Sequence, residues 1–167
     1  MESVKRILSG ELVVGAKQAA ENTFCLTVDY SQTVEEMRAA GGYDQENSGI
    51  TSEHFPHSRT RGKTEVEVVI VHLRRAMSNA EIDQCLADQN LRDAELPELL
   101  AFGAHPTCKD EQRKGPIAAR GSVWRVLRGN RHVACLHGSA GHRELSLLWI
   151  GDDWRERWRF LAVRKPA

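Results

Sequence analysis

The sequence predicts an α+β domain: two or three short helices, then a small twisted antiparallel sheet with long C-terminal loops. Three observations carry this expectation. Thr33 with Glu36, and Ser78 with Glu81, have the spacing of helix capping boxes. Residues 64–75 alternate as a strand, with Val66, Val68, Ile70 and His72 on one face and Glu65, Glu67, Val69, Val71 and Leu73 on the other. From Ala104 onward the character changes, and Gly, Pro and charged residues separate short apolar runs.

The elements follow in order. Residues 23–30 alternate apolar with polar and read as a first strand. Thr33 opens a short helix that Gly41 and Gly42 end. Residues 43–63 are rich in Gly, Ser, Thr, Asn and His and contain Pro56, the composition of an irregular connection. The strand of residues 64–75 turns from charged to apolar midway along its second face, so it enters the interior from an exposed edge. Ser78 opens a helix that buries Ile82, Cys85 and Leu86; a third helix begins near Pro97 and stops at Gly103. Runs at 117–119, 122–124, 133–136, 145–149 and 160–163 then give four or five short strands.

With 167 residues the chain has room for one domain, 1–167, in which 1–63 is an N-terminal extension packed on the remainder. Lys plus Arg and Asp plus Glu each number 23, a balance that argues against a nucleic-acid partner. A local excess remains near the C-terminus, where Arg155, Arg157, Arg159, Arg164 and Lys165 face only Glu156; it reads as a solvated rim with one or two structural arginines. No window is apolar enough to insert in a membrane, and the apolar run after Met1 to Arg6 is too short for a secretory signal, so the expected location is the cytoplasm. A monomer is the expected state. Cys25, Cys85, Cys108 and Cys135 are scattered, without a metal or disulfide spacing, and read as buried thiols.

Candidate chemistry is sparse. His54 and His57 lie three apart, and His132, His137 and His142 follow, but none has a recognised zinc spacing. Asp152 and Asp153 are two hard oxygen donors without the further ligands calcium needs. Ser139, between Gly138 and Gly141, lacks the strand–elbow–helix context of a hydrolase nucleophile. These readings leave no catalytic residue, no metal site and no cofactor. An enzymatic alternative would place His54, His57, Cys108 or Cys135 at a cleft.

Binding is the better expectation. All four tryptophans lie between Trp124 and Trp158, and such rings can pin loop-rich backbone to a core. Between these anchors the side chains are chemically miscellaneous. If Leu145, Leu147 and Trp149 are core, alternation turns Ser146, Leu148 and Ile150 outward. Gly151, Asp152, Asp153, Arg155, Arg157 and Trp158 then join them in a recognition surface for a protein or other macromolecule, within residues 132–158. The alternative is that Leu148 and Ile150 pack beneath a helix.

Three stretches carry a family resemblance: Leu96-Pro97-Glu98-Leu99-Leu100-Ala101-Phe102-Gly103, Pro116-Ile117-Ala118-Ala119-Arg120-Gly121-Ser122-Val123-Trp124, and Arg159-Phe160-Leu161-Ala162-Val163-Arg164-Lys165. They resemble the variable proteins of diversity-generating retroelements, whose C-terminal domains are C-type lectin-like, of the branch that includes formylglycine-generating enzymes. The likeness is best over residues 91–165 and looser over 28–56. It implies a C-type lectin-like fold with a helix opened by Leu-Pro and a closing strand like Phe-x-x-Val-Arg. It also implies a non-catalytic ligand-binding protein whose 132–158 region is diversified by substitution at template adenines. Asn-type codons so mutated yield Ser, Leu, Ile, Gly, Asp and Arg, which fits Ser146, Leu148, Ile150, Gly151, Asp152, Asp153, Arg155 and Arg157. They do not yield Glu or Trp, so Glu144, Glu156 and Trp158 are either fixed positions or evidence against this boundary of the variable region. The cysteines of the enzymatic relatives lie near the chain end, where only Cys135 stands, so their chemistry is not implied. Neither Glu-Pro-Asn nor Gln-Pro-Asp, the sugar-binding tripeptides of lectins, occurs. The remaining alternatives are an enzyme of the formylglycine-generating type or a hydrolase, and an undiversified protein–protein adaptor.

Overall fold

A computed structural model describes residues 22–166. Met1 to Arg6, and the first third of the 1–63 extension, lie outside the described residues. The chain runs β1 (Thr23–Asp29), α1 (Val34–Ala40), β2 (Gln45–Glu46), β3 (Lys63–His72), β4 (Met77–Ser78), α2 (Asn79–Asp88), β5 (Leu91–Asp93), α3 (Leu96–Ala104), β6 (Ile117–Arg125), β7 (Arg131–Ser139), β8 (His142–Trp149), β9 (Asp153–Trp154) and β10 (Arg159–Arg164). The fold is α+β.

Both expected capping boxes form. Thr33 Oγ1 accepts from the Glu36 amide at 3.1 Å and Glu36 accepts from the Thr33 amide at 3.1 Å; Ser78 and Glu81 repeat the exchange, each bond 3.2 Å. The third helix starts where Leu96-Pro97 placed it, but Gly103 does not stop it. His105 is its C-cap, and a Cβ at Gly103 would stand 2.1 Å from the Tyr43 hydroxyl oxygen. This glycine is there for close packing rather than for termination.

The sheet is larger than the sequence suggested. Eight strands join in the order β1-β3-β10-β6-β7-β8-β2, with β5 also on β10. Pairing is antiparallel except for β10 with β6 and β2 with β8. The described part of the 1–63 segment supplies β1 and β2 to this sheet. The last strand lies in the centre: Leu161 pairs with Ile70 of β3, and Phe160 with Ala118 of β6. Two runs read as separate strands, 117–119 and 122–124, are one strand with a register shift between Ala119 and Trp124. Gly121 sits in that shift; its amide donates to the Ala94 carbonyl at 2.9 Å, and a Cβ would stand 2.6 Å from the same oxygen.

Central strands are apolar on both faces, because both faces are covered. The first face carries Val68, Ile70, Leu161, Ala134 and Leu136 under Val34 and Met37 of α1 and Leu99, Leu100 and Phe102 of α3. The second carries Val69, Val71, Phe160, Ala162 and Val133 under Ile82 and Leu86 of α2, with Ile150, Trp154 and Trp158 beside them. The sheet is therefore the middle of three layers.

Buried charge fastens the layers. Arg143, on β8, donates to the carbonyls of Gly41 (2.6 Å) and Gly103, at the C-terminal ends of α1 and α3, and its guanidinium lies 4.8 Å from the Tyr43 ring centroid. A cation there complements both helix dipoles. Fully buried Glu98 accepts from Tyr30, from Arg92 in a bidentate pair (2.9 and 2.7 Å) and from the Glu95 amide at 2.7 Å. Burial opposes its charge, but those donors outweigh burial and hold the carboxyl below its usual range.

Candidate functional site

The segment between β8 and β10 is pinned at several points. Met77 pairs with Trp154 and Ser78 with Asp153, so β4 and β9 form a short antiparallel ladder. Asn79 holds the same loop three ways: its amide donates to the Asp152 carbonyl at 3.0 Å, its Nδ2 to the Gly151 carbonyl at 2.8 Å, and its Oδ1 accepts from Trp154 Nε1 at 2.7 Å. The Trp154 ring meets Phe160 edge-on at 4.7 Å and Trp158 at 5.2 Å. The Trp158 amide closes a turn on the Arg155 carbonyl at 3.1 Å, and the Trp158 carbonyl accepts from the Leu73 amide at 3.0 Å.

Between these anchors Asp152, Asp153, Arg155, Glu156 and Arg157 are exposed. Arg155, Glu156 and Arg157 line an open depression with Ala76, and the Arg157 guanidinium lies 5.7 Å from the Trp158 ring centroid. Four of the nine expected contact residues, Asp152, Asp153, Arg155 and Arg157, thus come together on one outward loop. Gly151 is half-buried at the start of that loop, whereas Ser146 is half-buried within β8, opposite Cys135 and with its hydroxyl 2.7 Å from His137 Nε2.

Three of the nine do not belong to an exposed surface. Ile150 is only 7 % exposed and Trp158 9 %, and Leu148 packs half-buried against the second face. The loop after β8 folds back across that face, so the side of β8 expected to meet solvent meets Trp154 and Trp158 instead. Trp149 departs in the opposite sense: expected in the core with Leu145 and Leu147, it is 59 % exposed. It lies at the end of β8, and its cross-strand neighbour is His132 rather than an apolar residue of the first face. Sequence reasoning passed over Asn79, whose only signal was an amide directly after the Ser78 cap. It also set Glu156 aside, although that side chain stands among the exposed ones.

The four cysteines are not all buried as expected: Cys25 is exposed and Cys85 half-buried, while Cys108 and Cys135 are buried. Burial pushes the Cys108 thiol up to about 11 and Cys135 up to about 12, opposite to the shift an attacking thiolate needs. His137 Nε2 meets both Ser146 Oγ and, at 3.2 Å, a Glu144 oxygen, while His142 Nε2 holds the other oxygen at 2.8 Å. A hydrolytic relay needs the acid on the second ring nitrogen. The two loop imidazoles part company: His54 stacks on Trp124 at 3.8 Å, and His57 Nε2 bonds to the Tyr30 carbonyl at 2.9 Å. Of the C-terminal cations, Arg159 is buried on the Glu111 and Gly115 carbonyls and is a structural arginine, while Arg164 forms an exposed pair with Glu67 at 2.8 Å. Among the described residues, no group of three or more His, Cys, Asp or Glu is placed to hold a metal ion, and no helix is long and apolar enough to cross a membrane. Comparison with known protein families, with curated proteins and with solved structures found no match.

Proposed function

We propose that the chain is a non-catalytic ligand-binding protein of the retroelement-diversified kind, built on a C-type lectin-like scaffold. One observation carries the reading: the backbone of residues 151–158 is fixed by Asn79, the β4–β9 ladder and two buried indoles, while Asp152, Asp153, Arg155 and Arg157 contribute nothing to the interior. Side chains so disposed can be exchanged without disturbing the core. The Leu96-Pro97 start of α3 and the Phe160-to-Arg164 strand at the sheet centre agree with the resemblance that suggested the scaffold. Buried, protonated thiols and a serine–histidine–glutamate contact with the wrong connectivity favour binding over covalent chemistry.

The binding set is narrower than expected: Asp152, Asp153, Arg155 and Arg157 at the centre and Gly151 at the edge, with Ser146 turned to His137 on β8 instead. Ile150, Leu148 and Trp158 support them from below. Two carboxylates followed by two guanidiniums suit a macromolecular partner of complementary charge, where rim charges set encounter rate and selectivity. Sequencing the genomic neighbourhood tests the diversification directly. The expected result is a reverse transcriptase gene and an adenine-containing template copy whose substitutions fall on codons 151, 152, 153, 155 and 157 and spare 154 and 158. A locus with neither would leave an undiversified adaptor.

A further inference from the structure

The two edges of the large sheet differ in how they are protected. At one end stands β2, only two residues long and carrying Glu46. At the other stands β1, seven residues in unbroken register with β3. Between Thr23 and Val28 it has no charged residue and no proline. Edge strands of monomeric proteins are ordinarily kept short, bulged or charged, because an exposed edge is a template for another chain. Before Asp29, β1 has none of these devices.

Hydrogen-bond parity defines what this edge offers. The Asn22 carbonyl accepts from the Ile70 amide and the Tyr30 amide donates to the Gly62 carbonyl, both at 2.9 Å, so the even-numbered residues face β3. The N–H and C=O of Cys25 and Thr27 therefore point away from the sheet, and they have no backbone partner among the described residues. Both residues are exposed. A groove of about 240 Å³ separates Thr27 and Asp29 from the helices, where Ala40 of α1 and Ala101 and Ala104 of α3 leave room for an incoming backbone.

The strand also matches itself. Two copies of β1, antiparallel and fully overlapped, place a dyad at Leu26, the midpoint of Thr23–Asp29. Cys25 then lies opposite the partner's Thr27, and their outward N–H and C=O groups satisfy one another. On the first face Phe24 meets the partner's Val28, an aromatic–β-branched pair of the kind that stabilises antiparallel sheets. The two Asp29 carboxylates fall at opposite ends of the paired strands, so the overlap brings no like charges together. A foreign strand would use the same backbone groups; the side-chain match about Leu26 favours a second copy.

We propose that the protein forms a two-fold dimer by antiparallel pairing of β1 with β1 about Leu26, in place of the monomer expected from the sequence. The dyad is perpendicular to the sheet, so the two sheets become one and both 151–157 loops lie on the same side of it. Pairing along one seven-residue strand makes a small interface, so association is reversible and follows concentration. The dimer stands whether or not those loops bind a ligand.

Sedimentation equilibrium of the full chain at increasing concentration tests the proposal. The mass rises from 18.7 kDa toward twice that value. Thr27→Pro removes an outward N–H and leaves the β1–β3 bonds in place, so it raises the dissociation constant at least about tenfold. Cys25→Lys combined with Thr27→Lys, at two exposed positions, weakens the dimer by charge and guards against a folding defect in the proline variant. A bismaleimide reaching about 8 Å, the diagonal cross-strand spacing, links Cys25 to the partner's Cys25, and Cys25→Ser abolishes the link without changing the equilibrium mass. The proposal is overturned by a parent that stays at 18.7 kDa throughout, or by a dimer that survives both edge variants. A dimer that is not linked at Cys25 would overturn the register. A monomer with slow amide exchange at Cys25 and Thr27 would overturn the dimer and assign the edge to another segment of the same chain.

Discussion

Trp154 and Trp158 lie inside the second face, edge-on to one another, with Trp154 also edge-on to Phe160, whereas Trp124 and Trp149 lie at the open end of the first. The four residues share a type and a stretch of sequence but differ in what covers them. The 151–158 loop folds over its own tryptophans and exposes charge. Among the described residues, the 49–55 loop covers the hairpin end through His54, stacked on Trp124, and leaves Trp149 largely exposed. The same side chain is therefore a buried anchor on one face and a largely exposed ring on the other.

The contrast makes graded predictions. Trp154→Ala removes a buried ring and its bond to Asn79, and should cost about 3–5 kcal/mol in urea unfolding. If Trp154→Ala unfolds at the parent midpoint, the anchoring role is lost. Charge distinguishes the faces next. Glu98→Gln leaves Arg92 facing a neutral amide beneath the first face, a loss of about 3 kcal/mol near neutral pH. Because the Glu98 carboxyl sits below its ordinary 4.5 in the fold, its contribution is complete above that pH and disappears as pH falls through the folded value. The stability of Glu98→Gln should accordingly vary less between about pH 5 and pH 3 than the parent's, measured by unfolding at each pH. Asn79→Ala removes two side-chain bonds to the loop and should cost about 2 kcal/mol, with faster amide exchange confined to residues 151–154. Trp149→Ala comes last: with most of the ring already in water, its midpoint should move by less than about 1 kcal/mol equivalent. A loss as large as that of Trp154→Ala would erase the distinction between the two pairs.

Local signals in the sequence were reliable where they were complete within a few residues. The capping boxes at Thr33 and Ser78, the Leu96-Pro97 helix start and the two-faced strand of β3 could be seen without tertiary knowledge, because each depends on neighbours in the chain. The exposed set at Asp152, Asp153, Arg155 and Arg157 was legible because charged residues between tryptophans have few other places to go. Misreadings arose where a distant element decides the outcome. Alternation along β8 is real, but it does not say which face is covered at the strand's end. Ile150 is buried because residues 150–158 return over the second face, and Trp149 is exposed because α1 and α3 do not extend to it. Asn79 is a polar residue at a helix start until the loop it binds, more than seventy residues later, comes into place. The size of the sheet escaped for the same reason, since β10 inserts between strands from both halves of the chain.

Equilibrium urea unfolding of the quadruple variant Asp152→Ala, Asp153→Ala, Arg155→Ala, Arg157→Ala, beside the parent, tests most directly whether the loop's outward residues are separable from its framework. A single cooperative transition within about 1 kcal/mol of the parent is the expected result, since surface substitutions away from caps and buried partners change stability little. A loss approaching that of Trp154→Ala, or a broadened transition, would mean that these side chains help hold the fold and are not free to be exchanged.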